Sequence, residues 1–187
     1  CKILNKVLKS DIDNIKHTLE DLNEEVFQQA SDKLLNARKI YILGMRSSFS
    51  IAQYLGFYLD IILDNVHIIR MDMGDAFEQV VRVTDEDVVV AISFPRYSKR
   101  SHQIVEYAKA KGAHVISITD SLFAPIATIS DTTLLVKSNM ASFVDSLVPA
   151  LSLCNALIVS IGMKEKEDIK SYFDDLEKIW ERYGVYE

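Results

Sequence analysis

The sequence predicts a three-layer α/β sandwich, in which a five-stranded parallel sheet is covered by helices on both faces and preceded by a helical N-terminal extension. Three observations carry this. Five short β-branched runs follow Lys39, at 40–43, 66–69, 88–92, 115–118 and 134–136. They show little polar alternation, as strands buried on both faces do. Stretches of helical periodicity lie between them, and alternating strand and helix is the pattern of a parallel sheet with crossover helices. Finally, a chain of 187 residues with 49% apolar and 26% charged content is sized for one globular core.

The elements follow in order. Ile12, Ile15, Leu19, Leu22 and Val26 recur at spacings of three and four, a helical stripe. Asn23 ahead of Glu24 and Glu25 is a cap that splits this region into two helices near residue 22. Residues 1–38 are therefore read as a lead-in of linker or oligomerisation helices, and 39–187 as the sheet domain. Ile51, Leu55, Tyr58, Leu59 and Ile62 mark a helix after the first run. Ile104, Val105 and Ala108 mark another, closed by Lys111-Gly112. Of the two helices expected after the last run, 143–162 is apolar nearly all round. The other, 166–183, carries Ile169, Phe173, Leu176, Ile179 and Trp180 on one side. The apolar surplus of 143–162, which includes Phe143, Val144, Leu147, Val148 and Leu151, joins the leading stripe to predict a homodimer or tetramer.

Charge and composition exclude several functions. With 21 Lys+Arg against 27 Asp+Glu the formal charge is −6, and phosphate-backbone contacts need clustered positive charge. No basic run exceeds two residues, which removes a membrane-surface patch. The longest apolar stretch, 143–163, is interrupted by Asp145, Ser146, Pro149, Ser152 and Asn155, so no membrane span is expected. Cys1 and Cys154 cannot build a disulfide framework and suit a reducing cytoplasm. His17, His67, His102 and His114 fall in four different elements without metal-ligand spacing, so neither metal nor cofactor is expected. The N-terminus has no signal-peptide pattern. The chain opens at Cys1 without a methionine, which leads us to expect a piece of a longer protein.

In an open parallel sheet, ligands bind beyond the carboxyl ends of the strands. After the first run comes Gly44-Met45-Arg46-Ser47-Ser48, and after the third Ser93-Phe94-Pro95-Arg96-Tyr97-Ser98, followed by Lys99 and Arg100. Each loop delivers hydroxyls to a helix start, where unpaired backbone N–H groups and the helix dipole attract anions. Capping alone accounts for one such serine. Two hydroxyl-rich loops that carry arginine and come from parallel strands point to a shared phosphate site, with Ser47, Ser48, Ser93, Arg96 and Ser98 as its residues.

These loops resemble the two phosphate loops of the sugar isomerase (SIS) domain, whose usual forms are Gly-x-Gly-x-Ser and Ser-x-Ser-Gly-x-Thr. Thr119-Asp120-Ser121, Ala124-Pro125-Ile126-Ala127 and Asp131 resemble later segments of that family, and the likeness spans about residues 24–163. The Ser-Phe-Pro-Arg-Tyr-Ser form of the second loop and the leading helix pair most resemble the C-terminal effector domain of RpiR-type transcriptional regulators. The resemblance implies a flavodoxin-like αβα sandwich and a phosphorylated sugar as effector. It also implies DNA binding only through a helix-turn-helix domain absent from this chain, with the helices before Lys39 as transmitters. Arg46 stands where the first loop has its second glycine, and Pro95 and Arg96 stand where the second has Ser and Gly. The arginines either add bidentate phosphate contacts or narrow the cleft against the usual sugar.

Two functions of different class follow. One is a phosphosugar sensor. The other is a phosphosugar isomerase, which needs a base near the sugar carbons. SIS isomerases usually supply a Glu, often with a His, from the segment that here reads Asp72-Met73-Gly74-Asp75-Ala76-Phe77-Glu78. Asp75 and Glu78 are the candidates, but no His accompanies them, and acidic residues at a helix start have their own explanation. The sensor is the preferred reading.

Overall fold

Asn23 ends the first helix and starts the second. In the computed structural model, which describes residues 1–140 and 143–185, its side chain accepts hydrogen bonds from the Glu25 N–H at 2.9 Å and the Val26 N–H at 3.1 Å. The helices on either side are α1 (Lys2–Asp21) and α2 (Glu24–Leu35). There follow β1 (Ile40–Gly44), α3 (Ser48–Ile62), β2 (Val66–Ile68), α4 (Ala76–Val80), β3 (Val88–Ile92), α5 (Lys99–Ala110) and β4 (His114–Thr119). After a short 3-10 turn come β5 (Thr132–Leu135), α6 (Val148–Lys164) and α7 (Lys166–Tyr183). Residues 141, 142, 186 and 187, which the expected 39–187 domain includes, lie outside the described residues.

The strands form one parallel sheet in the order β2-β1-β3-β4-β5. Alternation along each strand feeds two cores, one per face. Ile40, Ile42, Val88, Val90 and Ile116 pack with α2, α3 and α6. Tyr41, Leu43, Val89, Ala91 and Val115 pack on the other side with α4 and α5. Both faces are covered, which is why the strands read as unbroken apolar runs.

Three elements differ from their sequence reading. The expected helix at 143–162 begins only at Val148, with Pro149 in its first turn. Proline belongs at a helix start and disfavours helical backbone just before it, so residues 143–147 form a loop instead. Strand β5 starts at Thr132, ahead of the apolar run, because Thr132 and Thr133 pair in register with Ile116 and Ser117. Helix α1 is turned around relative to its stripe: it buries Asn14 and Thr18, while Leu19 is 72% exposed and Ile12 and Ile15 face outward. No single helix among the described residues is long and apolar enough to cross a membrane.

Candidate functional site

The strand order reverses between β1 and β3, whose carboxyl ends lie side by side with Gly44 opposite Ile92. Both connections leaving this point climb into helices, β1 into α3 and β3 into α5. The chain turns tightly after Gly44: a Cβ there would lie 2.4 Å from the Ser48 carbonyl oxygen, so only glycine fits. The turn is held by the Ser48 N–H donating to the Met45 carbonyl and the Phe49 N–H donating to the Arg46 carbonyl, each at 3.1 Å.

Arg46 and Arg96 have φ values of 57° and 69°. These left-handed conformations are glycine territory, and a larger residue there costs about 1–2 kcal/mol. They are also the two positions where the loop patterns carry a glycine that this chain replaces. The chain thus keeps the backbone shape of both loops and places a guanidinium at each.

All five expected residues, Ser47, Ser48, Ser93, Arg96 and Ser98, line a single cleft of about 350 Å³. Capping does not occupy most of the hydroxyls. Ser47 holds the N-cap position of α3 without a side-chain capping bond. Ser48 and Ser93 are buried where they line the cleft, and among the described residues neither hydroxyl has a hydrogen-bond partner. Ser98 does cap α5, accepting from the Ser101 N–H at 3.3 Å. The second loop is braced from β4: the Thr119 hydroxyl donates to the Ser93 carbonyl at 2.6 Å, and the Tyr97 hydroxyl donates to Asp120 at 2.8 Å. Burial and the Asp120 carboxylate push the Tyr97 phenol up to about 12, so it remains a donor at neutral pH.

The loop before α6 brings Phe143, Val144, Asp145 and Leu147 to the cleft, none of which the sequence reading places there. Asp145, in the loop before α6, accepts from the Arg96 Nη2 at 3.3 Å, and its side chain is only 8% exposed. The signal was available, since Asp145 is the single charge between Lys137 and Lys164. In the sequence it reads only as an interruption in an apolar run.

The other candidates sit elsewhere. Asp75 caps α4 by accepting from the Phe77 N–H at 2.9 Å and pairs with Arg100, whose guanidinium lies 4.5 Å from the Phe77 ring centroid. Arg100 is thereby turned away from the cleft. Neither Asp75 nor Glu78 lines it. The His102 ring nitrogen lies 3.0 Å from the Pro125 carbonyl. Among the described residues no group of three or more His, Cys, Asp or Glu side chains gathers to hold a metal.

Two helix N-termini, serine hydroxyls and two arginines border one small space, and groups of these kinds attract anions. Comparison with known proteins agrees with the fold and the loops. The sequence matches the SIS domain over residues 33–160. An uncharacterised HTH-type transcriptional regulator of Clostridium perfringens is 26% identical over 164 residues, covering 84% of this chain and 57% of that protein. The sugar isomerase domain of an RpiR transcription factor from Sphaerobacter thermophilus superposes with a TM-score of 0.90 at 21% identity, over 95% of this chain and 99% of that one. The Vibrio vulnificus NanR protein, solved in complex with ManNAc-6P, gives 0.83 at 19% identity, over 97% and 69%. Since the match takes in more than half of the sequence and both serine loops, the chain belongs to the SIS domain family.

Proposed function

We propose that the cleft binds the phosphate of a phosphorylated sugar and that the chain is the effector-sensing part of an RpiR-type transcriptional regulator. The observation that carries this is the meeting of Ser48 and Ser93, whose hydroxyls have no hydrogen-bond partner among the described residues, with Arg96 in one cleft at the N-termini of α3 and α5. Ser47 and Ser98 complete the phosphate cradle. The regulators among its relatives, and a neighbour solved with a sugar phosphate, support the same reading. The chain spans 57% of the C. perfringens regulator, and we assign DNA reading to a separate domain of such a protein. The charge of −6 on this chain suits that division. The outward apolar side of α1 supports a homodimer or tetramer, and the buried free thiol of Cys154 suits a cytoplasmic location.

A sensor, and not an isomerase, is favoured because Asp75 and Glu78 lie outside the cleft and the carboxylate inside it is engaged by Arg96. Calorimetric titration with hexose 6-phosphates, aminohexose 6-phosphates and the matching unphosphorylated sugars tests the binding. Saturable binding of a phosphorylated sugar, with none for its parent sugar, is expected. Failure of every phosphorylated sugar rejects the site. Aldose–ketose turnover of the bound ligand that depends on Asp75, Glu78 or Asp145 rejects the sensor in favour of the enzyme.

A further inference from the structure

Asp145 is an odd residue to find beside an anion site, because its carboxylate repels the ligand the rest of the cleft attracts. Its surroundings explain what it does there. It holds Arg96, whose side chain is otherwise 69% exposed, through one contact of 3.3 Å. A phosphate offers the same guanidinium two parallel charge-assisted bonds. Phosphate and Asp145 therefore compete for one arginine, and the phosphate has the stronger claim.

What lies behind Asp145 gives the competition a consequence. The next residue, Ser146, donates its hydroxyl to Asp11 of α1 at 2.6 Å. The same connection between β5 and α6 holds α1 at further points. Asn14 Nδ2 donates to the Asn139 carbonyl at 3.0 Å, and the Asn139 N–H donates to Asn14 Oδ1 at 3.3 Å. The Lys137 N–H donates to the Thr18 hydroxyl at 3.0 Å, and Lys137 Nζ pairs with Asp21 at 2.6 Å. Asp11, Asn14, Thr18 and Asp21 fall on one face of α1. That is why the helix presents polar residues to the domain and apolar ones to solvent. Asp145 also borders a second cavity of about 290 Å³, whose walls include Lys137, Ser138 and Asn139, so the space beside it adjoins the segment that grips α1.

We propose that Arg96–Asp145 is an internal competitor for the effector's phosphate, and that transfer of Arg96 to the phosphate frees Asp145 and, through Ser146 and Asp11, loosens the seating of α1. The inference rests on the phosphate site proposed above and supplies its route of regulation. A seat made of hydrogen bonds suits the role, because such bonds exchange between alternative partners at small net cost, whereas a packed apolar seat does not.

Inorganic phosphate is the probe, since it has no sugar hydroxyls for Asp145 to contact. Asp145→Asn, nearly isosteric, removes the competing charge, and its affinity for phosphate is expected to rise about 3- to 10-fold by calorimetry. Asp145→Ala shifts affinity in the same direction. Amide exchange in α1 of the wild-type chain is expected to quicken around residues 11–18 when phosphate is added, and Asp145→Asn shows that faster exchange without phosphate. The double variant Asp11→Asn, Ser146→Ala binds phosphate somewhat more tightly than wild type, because coupling is reciprocal and the seat no longer opposes binding, and its α1 exchange no longer responds. Equal or weaker phosphate affinity in Asp145→Asn overturns the competitor, and unchanged α1 exchange in saturated wild type overturns the transmission. If neither phosphate nor any sugar phosphate binds wild type or variant, the site itself falls, and this inference with it.

Discussion

Arg46 and Arg96 hold a backbone shape that glycine adopts without strain, so their cost in stability must be offset by what the side chains do. Arg96→Gly separates the two. Its melting temperature is expected to equal or exceed that of wild type, while affinity for a sugar phosphate falls about tenfold or more, as the loss of a charged hydrogen bond requires. A scanning-calorimetry and titration pair reads both. The thiols give a second test: burial pushes Cys154 up to about 12, while Cys1 is exposed. Iodoacetamide at pH 8 should label one cysteine in the native chain and both in denaturant, because the thiolate is the nucleophile. Burial also holds His67 and His114 below the ordinary value of 6.5. The folded state favours their neutral forms, so the stability they contribute is full above pH 6.5 and is lost as pH falls through that value toward their lowered folded values. The melting temperature is expected to drop between pH 7 and 5.5. His67→Phe, which keeps the edge-on contact with Tyr41, should reduce that drop. At this scale the meeting of the serines and Arg96 in one cleft was legible because two loops repeat one chemistry. Asp145 stands out in the sequence only as a lone charge, because its meaning depends on a partner in a loop 49 positions away.

Helix α1 shows where periodicity misleads. Ile12, Ile15 and Leu19 mark a face, and the period correctly gave a helix, but period alone does not say which face the domain takes. The domain takes Asn14 and Thr18 because backbone groups at 137 and 139 have no strand partner and need side-chain ones. Asn14→Leu would add apolar surface yet leave the Asn139 N–H and carbonyl without these partners. It is expected to destabilise the chain by about 1–3 kcal/mol, measured by urea unfolding. The start of α6 differs for the opposite reason: the apolar composition from 143 suggests helix, but Pro149 disfavours helical backbone just before it. The strands were placed to within about two residues, because burial on both faces writes itself plainly into β-branched runs.

At the scale of the whole molecule, the sheet order and the site are one fact. Placing β1 beside β3 puts the two serine loops together, and nothing in either loop alone specifies that neighbour. The fold class was legible from alternation, and the meeting of the loops followed from where such sheets bind ligands. The outward stripe of α1 predicts self-association, so sedimentation at micromolar concentration should show a dimer or larger species. Leu4→Lys with Leu8→Lys should shift it toward monomer. The central claim, that this cleft binds a phosphorylated sugar through Ser93 and its neighbours, is tested most directly by a thermal-shift screen of sugar phosphates on wild type and Ser93→Ala. A ligand at one hundred times its Kd adds about 2.7 kcal/mol, which for a domain of this size raises the melting temperature by roughly 5–10 °C. The account predicts that shift for wild type with at least one sugar phosphate, and a much smaller one for Ser93→Ala at the same concentration. Equal shifts in the two proteins, or no shift with any sugar phosphate, would contradict it.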